Sequence, residues 1–189
     1  MSTDTAVPDE GSWPRNPAER FCLRDGRELL IRDMRPEDRD REQAFVRGLS
    51  DRARRFRFMS LLKELPPRLL EQFTQPDPAR ETVLVVVDLA TDRFVAVARF
   101  IRTKHDNGCE FAIVVDDHWR GLGLGRMLME RLIRDAEARG MDYIEGIILS
   151  DNRDMRHLLR PLGFRFEHRP GEIGVFFARL DLPRPQAGS

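Results

Sequence analysis

The chain has 189 residues, 41% of them hydrophobic and 34% charged, and its 32 basic and 32 acidic residues cancel to a formal charge of zero. That length suits one domain with a substantial core, and the neutral balance gives no global electrostatic case for nucleic acid or an anionic membrane. No apolar run approaches the roughly eighteen residues needed to span a bilayer, so no membrane association is expected.

The first residues lack a basic segment followed by an apolar one, so no secretory leader is expected. Cys22 and Cys109 lie far apart without metal-type spacing, which suits a cytoplasmic protein with reduced thiols. His105, His118, His157 and His168 form no metal-type cluster, and no metal is expected. Residues 1–20 are rich in Pro, Asp, Ser and Gly and lack periodicity, and read as a flexible tail in which Trp13 alone is a docking candidate. A single domain is expected over 21–182, with 183–189 as a second tail.

A short apolar run over 28–32 predicts a first strand. Arg35-Pro36-Glu37-Asp38 then places Pro at a first helical turn with acids beside it, and Ala44, Phe45 and Leu49 supply the apolar face of that helix. Residues 50–58 interleave Arg52, Arg54, Arg55 and Arg57 with Phe56 and Phe58. In a neutral chain this reads as a capped helix with a solvated arginine face and buried Phe, rather than a nucleic-acid surface. A third helical segment, 66–73, runs into a loop holding Pro76 and Pro78.

Strands over 82–89 and 94–102 flank a hairpin turn at 90–93, and Asn107-Gly108 turns the chain into a central strand over 109–115. Leu124, Leu128, Leu132 and Ala136 recur every four residues, a buried helical stripe that Gly140 ends. A strand follows over 143–149. Asp151 or Asn152 caps another helix that Pro161 stops or kinks, and strands over 164–168 and 174–182 close the domain. The order is mixed α/β, a meander first and crossover units later.

The segment between the central strand and the striped helix carries Gly121, Gly123 and Gly125 between Arg120 and Arg126. Glycines let a ligand approach the main chain, the helix start offers unpaired N–H groups and a favourable dipole for anions, and the arginines add charge. Such a turn is a phosphate seat. It is not a P-loop, because no Gly-Lys-Ser/Thr follows, and its Gly-x-Gly-x-Gly spacing is not the dinucleotide pattern.

Arg120-Gly121-Leu122-Gly123-Leu124-Gly125 fits Arg/Gln-x-x-Gly-x-Gly/Ala and resembles the acyl-CoA pyrophosphate loop of the GNAT superfamily of N-acyltransferases. Arg-Pro-Glu-Asp after the first strand, and Asn152 eleven residues before Gly163-Phe164, also occupy superfamily places, so the resemblance spans about 29–181. Cys109-Glu110-Phe111-Ala112, the arginine-aromatic segment and 149–155 are similar to the acyltransferase domain of bacterial Pat-type protein-lysine acetyltransferases. The 189 residues are expected to hold no second domain of the nucleotide-sensing or synthetase-like kind that often accompanies that type.

The resemblance implies a GNAT fold: a mostly antiparallel sheet of about seven strands, splayed at the acyl-CoA site and flanked by helices. It implies acetyl-CoA as co-substrate and transfer to a primary amine, a protein lysine first. A small-molecule amine acceptor, or a catalytically silent acyl-CoA sensor, are the alternatives. Strand alternation puts Glu110, Ala112 and Val114 on one face and Cys109, Phe111, Ile113 and Val115 on the other. The resemblance implies that Glu110 is the general base and that the segment Ile113, Val114 and Val115 meets the acyl arm. It assigns the pyrophosphate to Arg120, Gly121, Leu122, Gly123, Leu124, Gly125 and Arg126, and the cofactor arm to Asn152. Where many members carry a Tyr acid seven residues after that Asn, this chain has Leu159, as Pat-type domains tend to. The lone Tyr143 sits at a strand start away from the acid's place.

Overall fold

The computed structural model describes residues 16–60 and 62–183. Its strands are β1 (Glu19–Cys22), β2 (Glu28–Asp33), β3 (Glu81–Asp88), β4 (Arg93–Arg102), β5 (Gly108–Val115), β6 (Tyr143–Leu149), β7 (Arg165–Glu167) and β8 (Val175–Asp181). Its helices are α1 (Arg39–Gly48), α2 (Asp51–Phe58), α3 (Pro67–Thr74), α4 (Leu124–Ala138) and α5 (Arg153–Leu159). The strands form one sheet in the order β1-β2-β3-β4-β5-β6-β8-β7. Every neighbouring pair is antiparallel except β5 and β6.

The eighth strand is β1, and it corrects the boundary drawn at residue 20. Asn16 is already tied to Asp33, through its N–H at 3.0 Å and its side-chain amide at 3.2 Å. As the sheet's edge, β1 leaves three of its four residues exposed, so it shows no alternation for a sequence reading to detect. Trp13 and residues 184–189 lie outside the described residues.

Two apolar layers hold the sheet. The stripe Leu124, Leu128, Leu132 and Ala136 presses α4 onto one face, against Ala98, Phe100, Cys109, Phe111 and Ile113. On the other face Phe45, Val46, Leu49 and Leu70 from α1, its C-terminal end and α3 pack on Val83, Val85, Val87, Val97 and Val114. All eight residues of β3 are buried, as a strand covered on both sides must be. Ala44 is a correction: it is exposed, and Val46 and Glu42 face inward in its place.

Charge is buried with partners beside this second layer. Arg32 clamps Asp38 in two hydrogen bonds of 2.6 and 2.8 Å, and the Arg35 N–H adds a third at 2.9 Å. Burial alone would push the Asp38 carboxyl up, but these contacts and Arg41 hold it below the ordinary range. Glu42 is different. Its Oε2 is buried with no hydrogen-bond partner, and burial pushes the carboxyl up to about 7 despite Arg57 and Arg99 nearby.

Candidate active site

β5 and β6 pair at only three positions, Gly108 with Tyr143, Cys109 with Ile144 and Glu110 with Glu145. Beyond that rung the two parallel strands part, and two cavities fill the gap and its mouth. The larger holds about 510 Å³ and runs from Ile113, Val114 and Val115 over the glycine loop to Arg126, roofed by Phe56 and Arg57 of α2 and walled by α5. The smaller holds about 290 Å³ and contains Glu110 and Ala112. Phe56, Arg57, Ile113, Asn152 and Met155 line both, so the cavities meet at the splay.

Ten of the twelve residues expected at the site line the larger cavity: Ile113, Val114, Val115, Arg120, Gly121, Gly123, Leu124, Gly125, Arg126 and Asn152. Leu122 does not, because it packs against the α4-side core. Glu110 belongs to the smaller cavity, on the same strand.

Gly121 and Gly123 hold φ of +75° and +83°, a left-handed conformation that side chains with a Cβ rarely adopt. Gly123 caps α4 without a side chain, and the first turn of the helix contains no acidic residue. Its N-terminal N–H groups therefore meet the cavity with no built-in anion. The flanking arginines are engaged, Arg120 with Asp117 at 2.9 Å and Asp154 at 3.7 Å, and Arg126 with Glu130 at 2.8 Å. Asn152 is buried, and its Oδ1 accepts the Met155 N–H at the start of α5, so its amide Nδ2 is the group left to offer a ligand.

Helix α2 is capped as expected, with Ser50 Oγ accepting the Ala53 N–H at 3.1 Å. The solvated arginine face is only half right. Arg52 reaches Asp154 at 3.2 Å and Arg55 reaches Asp151 at 2.7 Å, so the helix is strapped to α5 across the larger cavity. Arg54 turns back and donates to the Leu49 carbonyl at 2.5 Å. Arg57 points inward, where burial first and Arg99 second lower its guanidinium to about 10 against the pull of Glu42. Sequence reading had no signal for Arg57, Phe56, Trp119, Met155 or His157 as cavity walls; the α2 face shows only once α5 is folded opposite.

Glu110 is open to solvent, yet its concave surroundings strip part of its hydration. That desolvation, and then the Glu145 charge, raise its carboxyl above the ordinary value. Cys109 points to the α4 side, where burial pushes its thiol up to about 12. Leu159 is fully buried in the core and contributes no proton donor. The Tyr143 hydroxyl donates to Asp106 at 2.6 Å, and His118 is an exposed partner of Asp116 at 3.0 Å. Among the described residues no group of three or more His, Cys, Asp and Glu is placed to hold a metal, and no helix is long and apolar enough to cross a membrane.

The model of the acetyltransferase (GNAT) family matches residues 46–164, a span from α1 through the loop, the splay and α5 to Phe164. The chain belongs to the GNAT acetyltransferase family. It is 35% identical over 162 residues to acetyltransferase PA5475 of Pseudomonas aeruginosa, covering 85% of this chain and 87% of that one. It is 31% identical over 163 residues to acetyltransferase Pat of Mycolicibacterium smegmatis, covering 85% of this chain and 48% of Pat, so it spans about half of that relative. The crystal structure of the GNAT domain of S. lividans PAT superposes with a TM-score of 0.81 at 24% identity, over 90% of this chain and all of that one, and shares its fold. GNAT acetyltransferases carry an acetyl group from acetyl-CoA to an acceptor amine, and this chain is an acyltransferase of that kind.

Proposed function

We propose that this GNAT enzyme acetylates a protein lysine by direct attack of the amine on acetyl-CoA in a ternary complex, with Glu110 as general base. The observation that carries this reading is the meeting of the two cavities at the splay, one fitted to a phosphorylated acyl carrier and the other holding Glu110. The left-handed glycines, the anion-free start of α4 and the two arginines suit the pyrophosphate of acetyl-CoA. The unpaired stretch of β5 from Ile113 to Val115 suits the pantetheine arm and the thioester oxygen, with Asn152 Nδ2 beside it.

A lysine amine has a pKa near 10.4, so removing its proton at pH 7 costs about 4.6 kcal/mol. A carboxylate whose own pKa is raised takes that proton more readily, which is the direction in which desolvation and Glu145 move Glu110. The free amine then forms its C–N bond as the C–S bond breaks, the attacking nitrogen sheds its second proton to solvent, and CoA leaves as thiolate. With Leu159 buried, the thiolate takes its proton from water; an ordinary thiol pKa of about 8.5 makes that leaving group a tolerable one.

The protein acceptor is supported by the solvent exposure of Glu110 and of Met59 at the edge of its cavity, and by the resemblance to the Pat type. The test is CoA release with lysine proteins, lysine peptides and small amines offered separately. Turnover confined to small amines removes the protein reading, and tight acetyl-CoA binding without turnover leaves only a sensor.

A further inference from the structure

Glu110 and Glu145 are partners on the last rung of the β5–β6 ladder, the point at which the strands part. Paired residues on strands about 4.8 Å apart carry their side chains to the same face. Two carboxylates therefore stand side by side on one face at the start of the splay, Glu110 lining the smaller cavity and Glu145 next to it on the neighbouring strand. Glu110 is exposed and opens into the smaller cavity that α2 shares with Ile147 and Ile148 of β6, while Glu145 is largely covered at 17% exposure.

Like charges this close are unfavourable unless a cation or a proton compensates. One cation is built in. Arg169, between β7 and β8, donates Nη2 to Glu145 at 2.7 Å and stacks on Phe177 with its guanidinium carbon 3.8 Å from the ring centre. Its side chain is 44% exposed while that of Glu145 is 17% exposed, so the pair is held at the surface and can be displaced. Among the described residues Glu110 has no such partner.

We propose that Glu145 is an acceptor-binding residue: with Glu110 it forms a two-carboxylate seat for the ammonium of the incoming amine, and Arg169 is the resident counter-charge that the amine relieves. The inference rests on Glu110 as the base of the proposed reaction and narrows the acceptor to amines that are cationic at neutral pH. An aliphatic amine such as a lysine side chain meets that demand, and a neutral aryl amine does not. Other charges face the seat as well. Arg57 on α2 lines the Glu110 cavity and feels the charge of Glu42, Arg99 on β4 is paired to Glu81, and Arg179 on β8, the cross-strand partner of Glu145 and within reach of its charge, is also paired to Asp181. The Tyr143 hydroxyl donates its hydrogen bond to Asp106.

The experiment is steady-state kinetics of the full chain from pH 6 to 9 at saturating acetyl-CoA, with a lysine-containing peptide and spermidine as probe amines. Glu145→Gln, Arg169→Gln and Glu110→Gln run in parallel, and calorimetry follows probe binding to the protein–CoA complex. Glu145→Gln is expected to raise the amine KM about tenfold, leave the acetyl-CoA KM within about twofold, and move the acid limb of kcat/KM to lower pH. Arg169→Gln is expected to move that limb the opposite way, and Glu145→Asp to restore most of the amine KM. If both Gln variants change KM in the same sense with no limb movement, Glu145 only pins the Arg169 loop and the proposal is overturned. Retained turnover in Glu110→Gln removes the base instead, and the calorimetric amine affinity of Glu145→Gln then decides for or against the seat.

Discussion

Arg55 on α2 donates to Asp151, just ahead of α5, across 2.7 Å, and so bridges the two walls of the larger cavity. The neighbouring pair of Arg52 and Asp154 repeats the bridge at 3.2 Å, and Asp154 also lies 3.7 Å from Arg120 of the glycine loop. Both pairs are exposed, and such pairs contribute little to folding. Their placement over the cavity gives them a different use, which is to hold α2 down on whatever lies beneath. The double substitution Arg52→Ala, Arg55→Ala is accordingly expected to leave the thermal midpoint nearly unchanged and to raise the acetyl-CoA KM severalfold. A large loss of thermal stability with an unchanged KM places the pairs in the fold rather than at the cleft.

Gly123→Ala separates conformation from packing. A Cβ there meets nothing within 4 Å, but φ of +83° is closed to most side chains. The substitution costs about 1–2 kcal/mol of stability through the backbone, and the relaxed loop no longer presents the start of α4. Calorimetric titration is expected to show acetyl-CoA binding weakened by at least about tenfold, since several donors are lost together. Unchanged affinity removes the loop from the binding account.

Glu42 gives the chain a pH-dependent stability. Its folded carboxyl sits at about 7, above the ordinary 4.5, because burial disfavours the charge. The folded state thus holds this proton more tightly than the unfolded chain. The contribution is complete below about 4.5 and is lost as pH rises through 7. The size is on the order of 3 kcal/mol. Denaturant titrations from pH 5 to 8 should show stability falling in the wild type and a flatter profile in Glu42→Gln. Equal slopes in the two proteins contradict the assignment.

Much of this architecture was legible in the chain because its signals are local. The four-residue stripe of α4, the apolar runs of β3 to β6 and the glycine turn all appeared where periodicity and turn chemistry place them, and residues 143–149 match β6 to the residue. What was hidden depends on distant partners. β1 is an exposed edge without a hydrophobic pattern, and Ala44 lies outside the helix face that the sheet selects. Leu122, flanked by two glycines, looks like loop yet turns into the core. Arg57 and the Arg52 and Arg55 straps are indistinguishable from a solvated face until α5 stands across the cleft. The pairing of Glu110 with Glu145 joins residues 35 positions apart, and no spacing rule links them.

The most direct measurement of the central claim is CoA release from acetyl-CoA with lysine-protein acceptors, comparing wild type with Glu110→Gln across the pH range. General-base catalysis by Glu110 predicts that kcat/KM for the amine falls by about a hundredfold or more, with acetyl-CoA affinity intact and the loss shrinking at high pH, where lysine sheds its own proton. Turnover in Glu110→Gln equal to wild type at neutral pH contradicts that claim.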